Sequence, residues 1–341
     1  MKKYLSILAG ILILVLSFAM VGCGSESSES SSSNTPITTE GKDEGAVLRI
    51  AAQPYPLYTE VYVAHNLGFI DEEFNKIGAK YEWNEFKSGP LVNEAVASGE
   101  EDMGFMADLP AIIAKSRGQD IKIVSNIAYG EKGLAVLVGK NSNINSVADL
   151  KGKKVAYAKG SYAQHLLALV LDKQGLTLND VQSVNLGAAE QVTALTTGEV
   201  DAIVIWEQYI TKMVNDGTAR VLIDGTGIKR GNMVNYFVSS YADKHPLVVI
   251  AYLKALNRAN DVIKNDPDKA ADAVYKDFGV SKDEMKQIMS NFTFTTQLTD
   301  DDIKAITEVK DFSKKANIIQ NDVDMSKFID LRYLDALNKQ Q

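Results

Sequence analysis

Two carboxylates, Asp108 and Glu207, stand 99 positions apart at the ends of two similar segments. Residues 88–108 read SGPLVNEAVASGEEDMGFMAD and residues 187–207 read GAAEQVTALTTGEVDAIVIWE, so that Gly99 falls on Gly198, Glu100 on Glu199 and Asp102 on Asp201. Each copy is a short helical pattern, a G-E-x-D turn, a continuous apolar run and then the carboxylate. A continuous run, unlike an alternating one, reads as a strand buried on both faces of a parallel sheet covered by helices. A carboxylate just past the carboxyl end of such a strand stands where open α/β sheets bind ligands. The chemistry open to the pair is acceptance of a hydrogen bond from an ammonium or hydroxyl group of a ligand. The plainer alternative is that each carboxylate stabilises the first turn of the helix that follows it.

The elements around them follow from the same patterns. Residues 47–52 (VLRIAA) predict a buried strand ending at Gln53-Pro54-Tyr55-Pro56. A helix is expected over 59–66, a strand over 81–86, a helix over 109–115 and strands over 121–127 and 134–138. A second α/β unit begins at residues 145–157, followed by a helix over 161–174 whose Ser161 and Gln164 fit a capping box. Strands over 221–223 and 235–239 come next, and from Pro246 the pattern is helical almost to the end. This order predicts two α/β lobes with a C-terminal helical tail.

The amino end reads as processing signal. Lys2 and Lys3 precede an apolar run over residues 4–21, then Gly22 and Cys23, the chain's one cysteine. A cysteine so placed resembles a bacterial lipobox, with Met20 where leucine is usual. Residues 1–22 are therefore expected to be a lipoprotein signal peptide and Cys23 the lipidated residue. The run is also just long enough to span a membrane uncleaved. Residues 23–46, rich in Ser, Glu, Thr and Gly, read as a flexible tether. One cysteine excludes an intrachain disulfide and a cysteine-based zinc site. The net charge is −8, or −10 once the leader's two lysines are removed, and no basic run stands out. Nucleic acid is excluded as an expected partner. A small anion would have to be held by local N–H groups against a repulsive average field.

The chain resembles the substrate-binding lipoproteins of ABC importers, in the group for aliphatic sulfonates, taurine, nitrate or bicarbonate, and thiamine-pyrimidine precursors. The resemblance rests on Phe86-Lys87-Ser88-Gly89-Pro90, on Gly99-Glu100-Glu101-Asp102-Met103-Gly104, and on Val147-Ala148-Asp149-Leu150-Lys151-Gly152-Lys153. Lys159-Gly160-Ser161 and Gly198-Glu199-Val200-Asp201-Ala202 running into Trp206-Glu207 complete it, and it covers residues 47–330. It implies a type II-like periplasmic binding protein fold with a two-crossing hinge. The crossings are expected at residues 138–141 and 235–238, giving lobe 1 as 47–138 plus 238–341 and lobe 2 as 139–237. It further implies a monomer without cofactor, lipid-anchored on the outer face of the cytoplasmic membrane and delivering its solute to a permease.

With that fold, Ser88-Gly89-Pro90 opens a helix whose free N–H groups, at Leu91 and Val92, could seat an anion together with the Ser88 hydroxyl. Ser161, beside Tyr162, offers the same from the other lobe, and Lys159 could add charge. For both serines the alternative is plain capping. The resemblance places Gln53 and Tyr55 at the ligand, and Tyr236 at the second crossing could line the pocket. Trp206 reads either as core or as cleft wall. Asp108 and Glu207 tilt the expected ligand toward a zwitterion or a larger sulfonate, since carboxylates facing bare nitrate would repel it. His65, His165 and His245 show no metal spacing, and no metal or catalytic residue is expected. A sensory ectodomain and an enzyme of the pyrimidine-synthase type remain as other classes. The latter carry a cysteine-rich motif that is missing here, and no Ser/His/Asp spacing or nucleophile elbow replaces it.

Overall fold

The computed structural model describes residues 37–339; the leader and Cys23 lie outside the described residues. The strands are β1 (Val47–Ala52), β2 (Lys80–Glu85), β3 (Met103–Ala107), β4 (Ile121–Tyr129), β5 (Leu134–Gly139), β6 (Lys154–Tyr157), β7 (Gln182–Asn185), β8 (Ala202–Trp206), β9 (Ala219–Asp224), β10 (Asn232–Val238) and β11 (Thr293–Phe294). They form two sheets, ordered β2-β1-β3-β10-β4-β11 and β7-β6-β8-β5-β9. The first five strands of one sheet and the five of the other share one topology. A parallel trio is followed by an antiparallel strand contributed after the chain has crossed between sheets, and then by one further strand antiparallel to it. The two-lobed α/β fold of periplasmic binding proteins is the one expected.

Burial follows position in the sheet. The strand of each repeat, β3 or β8, is central, and its continuous apolar run is buried throughout except for Trp206 at the end. The edge strand β7 (QSVN) buries almost nothing and shows no apolar pattern, which is why the sequence does not announce it. The G-E-x-D turns are equivalent in space. Gly99 and Gly198 both end their helices at φ near +80° (80° and 76°), a conformation costly for any residue with a Cβ.

Three expectations need correction. The chain crosses between sheets after Tyr129 and after Asp224, not at residues 138–141 and 235–238. Residues 134–138 belong to the second lobe and residues 232–237 to the first, because each strand that follows a crossing inserts antiparallel into the sheet it enters. The tail is not wholly helical, since β11 pairs with the outer side of β4. The tether also ends before residue 46. The Asp43 N–H donates to the Ile77 carbonyl at 2.8 Å, and its carboxylate lies 2.9 Å from His245 Nδ1.

Both crossings are glycine-rich, with Gly130 and Gly133 in the first and Gly225, Gly227 and Gly231 in the second. Phe292, from the first lobe, packs against the first crossing. A methyl group on Gly133 would lie 2.3 Å from the Phe292 ring, and one on Gly130 2.4 Å from it. Gly133→Ala is therefore expected to destabilise the protein by about 1–3 kcal/mol through overpacking. Urea denaturation checks this, and adding Phe292→Leu to the same chain should recover part of the loss. A Gly133→Ala variant as stable as the parent would mean that the crossing yields freely.

Candidate functional site

A cavity of about 140 Å³ lies between the lobes. The segment after β1 brings Gln53, Tyr55, Leu57 and Tyr58; the end of β3 and the helix after it bring Met106, Ala107 and Pro110; residues 87–90 close the same side. The second lobe contributes Ala158, Lys159, Gly160, Ser161, Tyr162 and Trp206. Seven expected contacts thus meet in one place: Gln53, Tyr55, Ser88, Gly89, Ser161, Tyr162 and Trp206. The walls are mainly aromatic and aliphatic. Trp206 stands edge-on to Tyr55 with ring centres 6.3 Å apart and is tilted against Tyr162 at 5.9 Å. The Gln53 amide donates to the Phe105 carbonyl at 2.6 Å and Tyr55 to the Lys87 carbonyl at 2.8 Å, which fixes both side chains from behind.

Three helices start at the cavity; in the one after β3, Asp108–Ser116, Asp108 takes the Leu109 N–H and Pro110 has none, and the other two follow Ser88 and Ser161. Gly89–Ser98 has Ser88 before it, in extended conformation and with no side-chain capping bond, so its hydroxyl is left free. The Val92 N–H is bonded to the Ser88 carbonyl at 3.2 Å, contrary to expectation, and Pro90 has no N–H. Gly89 and Leu91 then carry the first-turn donors without an intrahelical acceptor. Tyr162–Asp172 starts after Ser161, whose hydroxyl donates to the Ala158 carbonyl (2.6 Å) and accepts from the Ala163 N–H (3.3 Å). The expected capping box is displaced by one residue, for Gln164 reaches back to the Gly160 N–H at 2.8 Å. Ser161 is a cap first, and the Tyr162 N–H is the donor left over.

The Tyr162 phenol is buried and has no partner among the described residues. Burial pushes its pKa well above the usual tyrosine value, so the hydroxyl remains a donor. A buried hydroxyl without a partner costs on the order of 1–3 kcal/mol, an expense relieved when a ligand atom takes the bond. Lys87 and Lys159, one from each lobe, are the charged side chains of the wall, and no carboxylate is among them.

Asp108, Glu207 and Tyr236 are not in the wall. Asp108 is fully buried, with one oxygen accepting from the Leu109 N–H at 2.7 Å and the other from Lys229 Nζ at 2.7 Å. Glu207 accepts from the Thr211 N–H (3.0 Å), the Thr211 hydroxyl (3.0 Å) and the Asn291 amide (2.8 Å). Burial raises its pKa while these bonds pull it down. Tyr236 lies in the core of the first lobe, donating to Asn93 at 3.2 Å. Tyr58 and Met106 carry no local signal, since both follow from which strands end side by side. Among the described residues, no group of three His, Cys, Asp or Glu is placed to hold a metal, and no helix is long and apolar enough to cross a membrane.

Residues 56–270 match the family described as NMT1/THI5 like. The chain belongs to that family. A Bacillus subtilis (strain 168) protein named for aliphatic sulfonate binding is 30% identical over 340 residues, covering 98% of this chain and 96% of its own. Among solved structures, the alkanesulfonate-binding protein SsuA of Xanthomonas axonopodis pv. citri, bound to MOPS, superposes with a TM-score of 0.76 at 27% identity over 84% of this chain and 99% of that one. The periplasmic aliphatic sulphonate binding protein SsuA of Escherichia coli gives 0.75 at 27% identity over 83% and 97%.

His165, one turn along the helix from Tyr162, is buried behind the cavity. Burial first, and then the neighbouring Lys229, hold its pKa down to about 2. The unfolded chain takes up this proton near pH 6.5 while the folded one does not, so stability falls as pH drops below that value. The slope from this group approaches about 1.4 kcal/mol per pH unit, or roughly 2 kcal/mol at pH 5. Chemical denaturation at pH 7.5 and pH 5.0 should show the loss, and His165→Leu should flatten it. Equal acid sensitivity in parent and variant would mean that His165 is protonated in the fold.

Proposed function

We propose that this chain captures a small organic sulfonate with an apolar tail outside the cytoplasmic membrane and delivers it to the permease of an ABC importer. The observation that carries the reading is the composition of the cavity: two helix starts, an unpartnered phenol and two lysines around apolar walls, with no carboxylate. A sulfonate is a compact anion with three acceptor oxygens, and such a group suits N–H donors at a helix start. The alkyl part would lie against Leu57, Met106, Pro110 and Trp206. The sulfonate-binding names of relatives that span nearly the whole chain support the same reading, as does an SsuA homologue holding MOPS, itself a sulfonate. Those relatives are named as binding proteins, and the role proposed is capture without conversion.

Taurine fits less well. Its ammonium would enter a site whose nearest carboxylates are already bonded, and burying an unpaired cation is costly. Calorimetry with hexanesulfonate, ethanesulfonate, taurine and nitrate tests this. Hexanesulfonate should bind on the order of tenfold or more tighter than taurine, and nitrate weakly or not at all. Ser88→Ala should weaken the sulfonates by roughly ten- to a hundredfold, the loss of one hydrogen bond to a charged group. Tight binding confined to uncharged or cationic compounds would overturn the anion seat.

We further propose that Cys23 carries a lipid that holds the folded lobes at the membrane surface, because it alone follows the apolar leader and a small residue. Cys23→Ser should move the protein from the membrane fraction to the soluble fraction and change its mass. Unchanged mass and fractionation would refute the anchor.

A further inference from the structure

The repeat carboxylates, barred from the ligand, both reach across the molecule. Asp108 follows β3 of the first lobe, and its partner Lys229 belongs to the second crossing. The same ammonium donates to His165 Nδ1, on the second lobe, at 3.1 Å. The Lys229 and Asp108 side chains are 2% and 1% exposed, so water does not share these bonds. His165 is also stacked on Phe312, from the first lobe's tail helix Asp300–Lys315, with ring centres 4.3 Å apart. Glu207, at the equivalent position after β8 of the second lobe, accepts from Asn291, which precedes β11 of the first. The Glu207–Asn291 bond lies beside the first crossing, so lobe separation that carries Asn291 with the first lobe lengthens it, and separation also pulls His165 away from Lys229 or Lys229 away from Asp108.

We propose that Asp108 and Glu207 are paired latches of the closed state: Asp108 acts through Lys229 on His165, and Glu207 acts on Asn291, so that together they set the open–closed balance and the residence time of any ligand. They are positioning residues rather than ligand contacts. Their bonds form between lobes regardless of what fills the cavity. Losing one therefore weakens all ligands by a common factor, and the loss appears in the dissociation rate. A carboxylate that touched the ligand would instead discriminate, supporting taurine's ammonium and not an unsubstituted sulfonate.

The test uses the full chain carrying Cys23→Ser, with spin labels at Lys80→Cys and Gln182→Cys on the edge strands of the two sheets. Without ligand, Glu207→Gln and Asn291→Ala should each shift the interlobe distance distribution toward longer values. With ethanesulfonate and taurine as probes, stopped-flow binding should show dissociation faster by about tenfold and association changed by less than about twofold, with equal fractional losses of affinity for both. Lys229→Met alone leaves a buried carboxylate without its partner and can prevent folding, so Asp108→Asn is combined with it. If that double variant melts cooperatively, it should show the same shift; if it does not fold, the Glu207 and Asn291 variants decide. An unchanged distribution in those two, or a taurine loss far exceeding that of ethanesulfonate, overturns the proposal. Should no sulfonate bind even the parent, the functional reading fails on its own, while the ligand-free distances still judge the latches.

Discussion

Each lobe depends on one carboxylate that splices two neighbouring strands. The Asp102 N–H donates to the Arg49 carbonyl (3.0 Å) and the Asp102 carboxylate accepts from the Arg49 N–H (3.0 Å). Asp201 does the same with Lys154, at 2.9 and 2.8 Å. The splice fixes the start of β3 against β1 and of β8 against β6, and strand length then decides where they end. All four end at the cleft, so the next residues (Gln53 after β1, Asp108 after β3, Glu207 after β8, and Ser161 a few positions after β6) arrive there without any loop having to find its way. Arg49 adds two guanidinium bonds to Asp102, at 2.8 and 2.6 Å, so the first lobe's splice is the stronger.

Anion binding by a chain of net charge −8 is a matter of distance. Exposed charges beyond about 10 Å are screened at ordinary ionic strength, whereas the helix-start N–H groups and the Tyr162 hydroxyl would meet a ligand at contact. The carboxylates near enough to repel are Asp108 and Glu207, and each is already bonded by donors. Asp108 is neutralised outright by Lys229. The buried ion pair thus removes a repulsion from the cavity floor while adding no carboxylate to the walls.

The repeat was legible because it is local: a glycine turn, an aspartate and an apolar run lie within ten residues of one another. So were Gln53, Tyr55, Ser88, Gly89, Ser161, Tyr162 and Trp206, each of which sits at or beside the end of a recognisable element. Sheet membership was not legible. Residues 134–138 are as apolar in one lobe as they would be in the other, and only pairing with β8 assigns them. The glycines flanking the crossings were the available signal. The carboxylates' bonds to the first turns of the helices that follow them were the expected alternative, but their distant partners were hidden for the same reason, because Lys229 is 121 residues from Asp108 and Asn291 is 84 from Glu207. Nothing in the neighbourhood of either acid marks its partner.

The two copies differ where a cavity requires it. One position before the carboxylates, the first lobe has Ala107 and the second Trp206. Two tryptophans facing each other across the cleft would compete for the same space, and two alanines would leave a void too large for a small ligand to contact on all sides. A large residue opposite a small one lets Trp206 reach across to Tyr55 while still touching Tyr162 of its own lobe. The cavity is therefore bounded on one side by an indole and on the other by the backbone around Ala107 and the first lobe's tyrosines. Duplication supplies the strand ends and helix starts in pairs. Divergence at residues 107 and 206 converts a symmetric gap into a pocket with one indole wall, which adjoins the helix starts at both Ser88 and Ser161.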